Sequence, residues 1–505
     1  PIVLHSFWEG RFLSWVGTTT SFAGEFNFNM SNTPIKFGTD GWRAVIADGY
    51  TFENLERVTH ATAQWLQADY GDAPRVVLGH DTRFMGRAFA ERAARVLAHK
   101  GVEVTFAETF VSTPAISWAT ASMEADAGVV ITASHNPPQY NGFKIKAHFG
   151  GPAPPPMIAA VEGALEHVPA RTEPLPSFEA LQADGQIQTE DIGAAYLLAL
   201  RERLDINAIQ EAGLTIAYDA MFGAGQGLVT RLLGQDRVVE VRHDLNPGFH
   251  GQPPEPIERN LHELSEAVVG EGADMGLAND GDADRVGLYD EKGNYVSSHR
   301  TLALLTKYLH EERGLSGKVV KTFSTTHMLD KMAARYGLEL ETTPIGFKYI
   351  APKMVDEDIL VGGEESGGIA AKGHIPERDG IYIGLLIAEM MVKRGKPLSA
   401  LVQELHDEFG PHHTYRNDIH ITEAQKKRVL SRLDQEGGLD ELTGHPVERV
   451  DTLDGFKHIV EGGWLLIRPS GTEPVLRVYS EAGTAEQAEA LVHDAMDRLA
   501  LNGGS

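Results

Sequence analysis

Gly128-Val-Val-Ile-Thr-Ala-Ser134-His135-Asn136-Pro-Pro-Gln-Tyr-Asn-Gly-Phe-Lys144-Ile-Lys146 is an apolar run that stops abruptly at a polar turn. The stop places a serine hydroxyl at the mouth of a strand, with a histidine, amide side chains and Lys144 close behind. A serine in that position is a poor nucleophile alone. Further along, Asp280-Gly-Asp282-Ala-Asp284-Arg285 sets three acids at alternate positions, a pattern suited to a hard cation. A hard cation beside a serine points to phosphoryl chemistry.

The same opening recurs. Arg75–Gly79 leads into His80-Asp81-Thr82-Arg83 and a helical pattern to about Lys100; Leu214–Asp219 and Lys318–Thr322 lead into similar loops and helices. Strands alternating with helices at this spacing indicate α/β domains, here one related unit used three times. Phe149–Pro156 reads as a loop inside the first unit, and the polar segment from Arg171 to about Glu190 as a linker. Phe409-Gly410-Pro411 separates the third unit from a C-terminal piece ending in strand, loop, strand and a helix from about Ala485 to Leu499. The expected divisions are 30–187, 188–297, 298–410 and 411–505. Met30, the first methionine, is expected as the natural start, with residues 1–29 an N-terminal extension, non-native or disordered.

At 505 residues the chain is too long for one core. Its 71 acidic and 45 basic residues give a net charge of −26, which argues against nucleic acid or an anionic membrane as partner. A phosphorylated substrate stays compatible, since a few local cations outweigh a distant negative surface. The absence of cysteine removes disulfides and thiolate metal sites and fits the cytoplasm. The apolar stretch Ile381–Met391 is broken by Gly384 and Glu389 and reads as a buried helix rather than a membrane span.

Local readings leave alternatives open. Ser134 alone could be a strand-end cap, and Lys144 a solvated strand lysine. A serine-hydrolase reading fails for want of a glycine-flanked nucleophile elbow. The Asp280–Arg285 loop could be a solvated acidic turn; an EF-hand fails because Arg285 stands where glycine is needed, between strands rather than helices. Gly362-Gly-Glu364-Glu-Ser366-Gly-Gly368 could offer a carboxylate and a hydroxyl to sugar hydroxyls, or be a glycine-rich turn with incidental polar residues. Arg468-Pro-Ser470-Gly471-Thr472 groups a guanidinium, two hydroxyls and backbone N–H groups suited to a phosphate, or is a turn with a surface arginine.

These four loops, in this order, resemble the α-D-phosphohexomutase family from about Ile35 to the C-terminus. Phe37-Gly-Thr-Asp-Gly-Trp-Arg43 and Pro253-Pro-Glu-Pro256 are also similar to family segments. The resemblance implies four domains: three related α/β units and a smaller C-terminal α+β domain of the TATA-box-binding-protein type. It implies Ser134 as a phosphoserine, with Asp280, Asp282, Asp284 and a phosphoserine oxygen holding Mg²⁺. It places Glu364 and Ser366 on sugar hydroxyls, and Arg468, Ser470, Gly471 and Thr472 on the phosphate that is not reacting. Arg43, Lys144 and Arg285 match basic residues near the phosphoserine, Lys144 as candidate general base, with His135 grouped among the catalytic candidates.

The implied reaction moves a phosphoryl group between C1 and C6 of a hexose phosphate, primed by hexose 1,6-bisphosphate, in a monomer or homodimer. Thr343-Pro-Ile-Gly-Phe-Lys348 is similar to the glucomutase branch, with Lys348 at the sugar, and Gly368 stands where many other members have histidine. Glucose 1-phosphate and 6-phosphate are therefore the expected pair, with mannose and glucosamine phosphates as alternatives. A catalytically silent sugar-phosphate binder is opposed by the intact serine, aspartates and lysine. A plain Mg²⁺ phosphatase is opposed by the separate distal-phosphate loop.

Overall fold

In a computed structural model, which describes residues 35–38, 40–168, 174–470 and 475–501, the decisive run becomes a hairpin. Strand Ala127–Ile131 turns back into Tyr140–Ala147, with Val130 opposite Lys144 and Ile131 opposite Phe143. Side chains alternate across a strand. Phe143 and Ile145 therefore enter the core while Lys144 and Lys146 emerge on the other face, where they are also buried. The expectations for residues 1–29 lie outside the described residues.

Three sheets repeat one arrangement. In the first, Arg75–His80 lies between the parallel strands Glu103–Ala107 and Ala127–Ile131, and the latter pairs antiparallel with Tyr140–Ala147. In the second, Ile216–Asp219 lies between Val238–Val241 and Met275–Asn279, which pairs antiparallel with Val286–Asp290. In the third, Lys318–Thr322 lies between Leu340–Thr343 and Ile359–Gly363, which pairs antiparallel with Ile369–Ala371. In all three the spatial order is second, first, third and fourth strand of the unit. The fourth sheet is wholly antiparallel, running His413–His420, Val475–Ala482, Gly463–Pro469, Phe456–Val460 and Arg449–Asp451. Helices Glu423–Glu436 and Ala485–Arg498 contribute Leu433, Leu491 and Val492 to its core.

The segment expected as a linker is part of the first domain. It contains helix Phe178–Ala183, capped by the Ser177 hydroxyl, and strand Ile187–Glu190, which pairs parallel with Glu103–Ala107. The first sheet thus runs past the expected boundary at 187. The misleading polarity belongs to an outer strand: of its four residues only Ile187 is buried.

Helix Gly380–Arg394 is buried through most of its length, as its apolar sequence predicts, and starts at an N-cap where Asp379 accepts from Tyr382 N. Glu389 within it is satisfied by Tyr308 Oη, Arg313 Nη2 (2.6 Å) and Asp205 N (2.9 Å). Between the third and fourth domains Phe323 packs with Trp464, Leu466 and Tyr479. There Lys457 Nζ donates to Phe323 O (2.9 Å) and lies 4.0 Å from the centre of the Trp464 ring. Burial, with Lys321 nearby, pushes the Lys457 ammonium down to about 7. Among the described residues no helix is long and apolar enough to cross a membrane.

Gly384 lets this helix approach the second sheet, because a Cβ there would collide with the Leu277 side chain. Gly384→Val is expected to lower the stability of the unit by about 1–3 kcal/mol through overpacking, read as a lower urea midpoint. An unchanged midpoint would contradict this packing.

Candidate active site

The three hairpin loops meet because each leaves a central strand at the place where pairing changes from parallel to antiparallel. Backbone bonds then stitch the domains together. Thr113 N donates to Asp282 O (2.9 Å), Val286 N to Gly367 O (3.1 Å) and Gly380 N to Ala283 O (3.1 Å). Gly281 lies against the serine loop: a Cβ there would stand 2.5 Å from Ser134 O. The alternating aspartates therefore arrive directly beside the serine.

Ser134 is buried and has φ 52°, a left-handed conformation that costs a non-glycine residue on the order of 1 kcal/mol. Its N–H donates to Thr132 Oγ1 (2.9 Å), which donates to Asp81 Oδ2 (2.5 Å). Arg83 clamps the loop from the other side. Its Nη2 donates to Ser134 O and Asn136 O (both 2.6 Å), and its Nη1 to Pro137 O (2.9 Å) and Tyr140 O (3.0 Å). Asp81 backs the guanidinium at 3.3 Å and the Phe249 ring covers it at 4.9 Å. The Ser134 hydroxyl donates to Asp280 Oδ2 (2.7 Å) and lies 3.2 Å from His135 Nδ1. Burial, reinforced by Arg285, Arg43, Lys144 and Arg83, holds the His135 imidazolium well below the ordinary histidine range, so the ring is neutral.

The aspartates divide their oxygens between protein and an open position. Asp280 Oδ1 accepts from Asp284 N (3.0 Å) and Arg285 N (3.1 Å). Asp282 Oδ2 accepts from Thr113 Oγ1 (2.5 Å) and Lys144 Nζ (2.7 Å); Asp284 Oδ2 accepts from Lys144 Nζ (3.0 Å) and Arg378 Nη2 (2.7 Å). Asp282 Oδ1 and Asp284 Oδ1 are buried with no hydrogen-bond partner. One oxygen from each of the three carboxylates lies within 4.8 Å of the others. Buried carboxylate oxygens without donors are costly, and an all-oxygen set of this kind fits a hard divalent cation such as Mg²⁺.

Burial raises the Asp280 carboxyl well above its usual range, and the charges of Asp282 and Asp284 add to the effect. For Asp282, burial also favours the neutral acid, but Lys144 and its hydrogen bond reverse the outcome and hold it low. Lys144 is fully buried, yet Asp282, Asp284 and Asp40 together raise its ammonium above the ordinary lysine range. In this arrangement it keeps its proton.

Further charges close the cluster. Asp40 Oδ2 lies 2.7 Å from Lys144 Nζ and 2.5 Å from Arg378 Nη2. Lys146 Nζ donates to Glu377 Oε2 (2.7 Å). Arg43 donates to Asn136 Oδ1 (2.7 Å), and Arg285 lies 3.6 Å from Glu255 Oε1, which gives the Pro253–Pro256 segment a place at the rim. Glu364 is 3.7 Å from Arg378 Nη1. Burial pushes its carboxyl up to about 7, against the pull of Arg378 and with Glu365 adding to the rise. Ser366 is half-buried in the same loop. Lys348 leaves the turn Phe347–Tyr349 with Nζ 5.3 Å from the Tyr349 ring centre, and Phe347 lies 5.6 Å from the Arg378 guanidinium. In the fourth domain Arg468 Nε pairs with Asp454 Oδ1 (3.1 Å), and Ser470 is buried with its carbonyl accepting from Lys426 Nζ (2.6 Å). Gly471 and Thr472 lie outside the described residues.

The structure thus gathers Ser134, His135, Arg43, Lys144, Asp280, Asp282, Asp284, Arg285 and Glu364 around one centre. Asp40, Asp81, Arg83 and Arg378 were not singled out from sequence. Arg378 had a legible signal: Glu377-Arg378-Asp379 stands immediately before the largely apolar, buried run Gly380–Ala388, where three charges cannot all reach solvent. Arg83 did not, because its role is to bond carbonyls more than fifty residues away.

Asp282→Asn is expected to weaken Mg²⁺ binding at least about tenfold by titration calorimetry, and unchanged affinity would reject the carboxylate set. An ionised Glu364 accepts a ligand hydroxyl more strongly than the protonated acid does, so protonation below about pH 7 is expected to weaken the binding of a hydroxylated ligand at this loop. KM should therefore rise several-fold from about pH 8 to about pH 6. The substrate phosphate also titrates there. Glu364→Gln isolates the effect and should flatten the profile to that contribution; an identical profile in the variant would contradict it.

All four domains match models for the phosphoglucomutase/phosphomannomutase family: α/β/α domain I over residues 34–171, domain II over 194–293, domain III over 297–409 and the C-terminal domain over 422–498. A phosphoglucomutase/phosphomannomutase of Thermococcus kodakarensis is 33% identical over 456 residues, 90% of this chain and 95% of that one. A phosphoglucosamine mutase of Oceanobacillus iheyensis is 32% identical over 462 residues, 90% and 96% of the two chains. The crystal structure of a Thermus thermophilus protein, given provisionally as a phosphomannomutase, superposes with a TM-score of 0.81 at 35% identity, covering 92% of this chain and 99% of that one. With its three repeated α/β domains and smaller antiparallel fourth, the chain belongs to the phosphoglucomutase/phosphomannomutase family of α-D-phosphohexomutases, and is an isomerase of that family.

Proposed function

We propose that the protein is a phosphoglucomutase that interconverts glucose 1-phosphate and glucose 6-phosphate through a phosphoserine at Ser134 and a hexose 1,6-bisphosphate intermediate. The observation that carries the reading is Ser134 Oγ, 2.7 Å from Asp280, at the edge of three clustered aspartates, two of which (Asp282 and Asp284) keep a buried oxygen without a donor, as a divalent cation would need. Asp280, Asp282 and Asp284 would hold Mg²⁺, which when bound supplies neutralisation of the phosphoryl oxygens.

The phosphoryl group on Ser134 passes to the free hydroxyl of a hexose monophosphate. The new P–O bond forms as the bond to Oγ breaks; the sugar hydroxyl loses its proton and Oγ takes one up. The transition state is loose and anionic, so positioning and positive charge matter more than a strong base. That agrees with Lys144 entering as a cation rather than a proton acceptor. The Thr132–Asp81 and Arg83 contacts hold the loop so that Oγ keeps its position in both halves of the cycle. After the bisphosphate turns over, its other phosphate returns to Oγ. Arg468 and Ser470 serve the distal phosphate in either orientation, and Glu364 and Ser366 the sugar hydroxyls.

Glucose is favoured by the Thr343–Lys348 segment and by Gly368. A Cβ at 368 would meet Arg378 Cδ and approach Glu364 Oε2 to 3.2 Å, so Arg378 fills the space a larger side chain there would need. Mannose and glucosamine phosphates are the alternatives carried by the names of relatives.

Three hexose 1-phosphates (glucose, mannose and glucosamine), assayed with trace glucose 1,6-bisphosphate, should rank glucose first by at least about tenfold in kcat/KM. Label from hexose bisphosphate should appear on Ser134, and Ser134→Ala should lose activity by at least about a thousandfold. Preference for another sugar would overturn the assignment to glucose; unlabelled Ser134 would overturn the mechanism itself.

A further inference from the structure

One carboxylate outside the reaction centre joins two recognition elements. Asp454 Oδ1 lies 3.1 Å from Arg468 Nε in the fourth domain, while Oδ2 accepts from Ile345 N (2.8 Å) in the third. Ile345 lies in the Thr343–Lys348 loop, three residues from Lys348. The turn that presents Asp454 is pressed onto the arginine's own strand. Gly455 has φ 106°, and a Cβ there would meet Ile467 O at 2.5 Å and Arg468 Cα at 3.2 Å. Phe456 then pairs with Ile467 in the sheet, which fixes the register of Asp454 beside Arg468.

We propose that Asp454 is a positioning residue that orients Arg468 toward the distal phosphate and locks the fourth domain to the sugar-reading loop of the third. The inference rests on Arg468 serving the distal phosphate. A guanidinium recognises phosphate best through a planar fork of two N–H groups. Asp454 Oδ1 reaches Arg468 through an ion contact at Nε without hydrogen-bond alignment, so it restrains the guanidinium by charge and leaves its two terminal amino groups unspent by this carboxylate. Arg468 is largely buried, and without Asp454 its side chain would regain rotamers that point elsewhere. The second oxygen sets where the phosphate grip stands relative to Lys348, so distance between phosphate and sugar ring is read across the domain boundary. A hexose phosphate has one fixed spacing between its phosphate and its hydroxyls, and a loose boundary would blur that measurement.

The test uses the full chain with Asp454→Ala, Asp454→Asn, Arg468→Ala and the double variant Asp454→Ala/Arg468→Ala, assayed on glucose and mannose 1-phosphates. Loss of a charged contact should raise KM for Asp454→Ala by roughly tenfold. kcat should fall much less, and labelling of Ser134 from hexose bisphosphate should persist, which also shows the variant is folded. The double variant should be no worse than Arg468→Ala alone, because the two residues act as one unit. Asp454→Asn keeps an acceptor for Ile345 N and loses the charge; it should raise KM yet leave the glucose-to-mannose ratio of kcat/KM unchanged, whereas Asp454→Ala shifts that ratio. Additive effects in the double variant, or wild-type KM in Asp454→Ala while Arg468→Ala is impaired, overturn the positioning role alone. Wild-type KM in Arg468→Ala overturns the phosphate grip and this proposal with it.

Discussion

A cluster of carboxylates buried where three domains meet is the constraint on which the rest of the molecule depends. Ionised carboxylates leave water only when cations and donors replace it. Here Asp40 from the first domain and Asp284 from the second are both held by Arg378 from the third, and Lys144 adds Asp282. Lys144, Lys146 and Arg378 meet Asp40, Asp282, Asp284 and Glu377 directly, and Arg43 and Arg285 add positive charge from the rim. Burial still raises the Asp280 carboxyl, and Asp282 Oδ1 and Asp284 Oδ1 are left without donors, a deficit that a divalent ion would fill. Packing of the domains and assembly of a place for a cation are therefore one electrostatic problem.

The repeated sheet explains why the pieces arrive together. A loop at the end of a central parallel strand lies in the crevice that α/β sheets leave for ligands. Each domain reverses direction at that same strand, so each contributes one short hairpin loop of restricted geometry. The first supplies Ser134, the second the three clustered aspartates, the third the Glu364 carboxylate. Glycines then allow the loops to touch. Gly281 lies against the Ser134 carbonyl, and Gly367 has φ 88° with no room for a Cβ against Val286 O. Substituting either would separate two domains as well as distort one turn.

Much of this is legible in the sequence, and for identifiable reasons. Apolar runs broken by Thr132, Asp280 and Glu364 mark strand ends, and the alternation of acids marks the carboxylate cluster, because both signals are local. The outer strand Ile187–Glu190 reads as linker since only one of its residues is buried and period-two patterning cannot show in so short a piece. Asp40 lies inside a segment legible only by resemblance, and Arg83 in a loop that shows only as a strand end. Their roles consist of contacts with distant parts of the chain, which no window of sequence contains. Lys144 is the complementary case. Its place is legible, but its state is not: three carboxylates make it a cation firmly held, and only the fold brings them to it.

A chain with a net charge of −26 is an odd receptor for a doubly charged phosphate, and the rim of the site shows how the two are compatible. Surface acids farther than about 8 Å are screened at physiological ionic strength. What matters is the handful of cations at the cleft, and each comes with its own carboxylate: Arg43 with Asp40, Arg285 with Glu255, Arg468 with Asp454. These pairs keep the guanidinium groups in place against their mutual repulsion. They also lower the positive potential a substrate meets, so phosphate binding gains less than bare cations would offer. The gain in return is placement, since a neighbouring carboxylate restricts where each guanidinium can stand. Weak pairing of this kind would suit the proposed bisphosphate intermediate, which has to let go and rebind in the opposite orientation, because cations that gripped each phosphate too tightly would stop the turn.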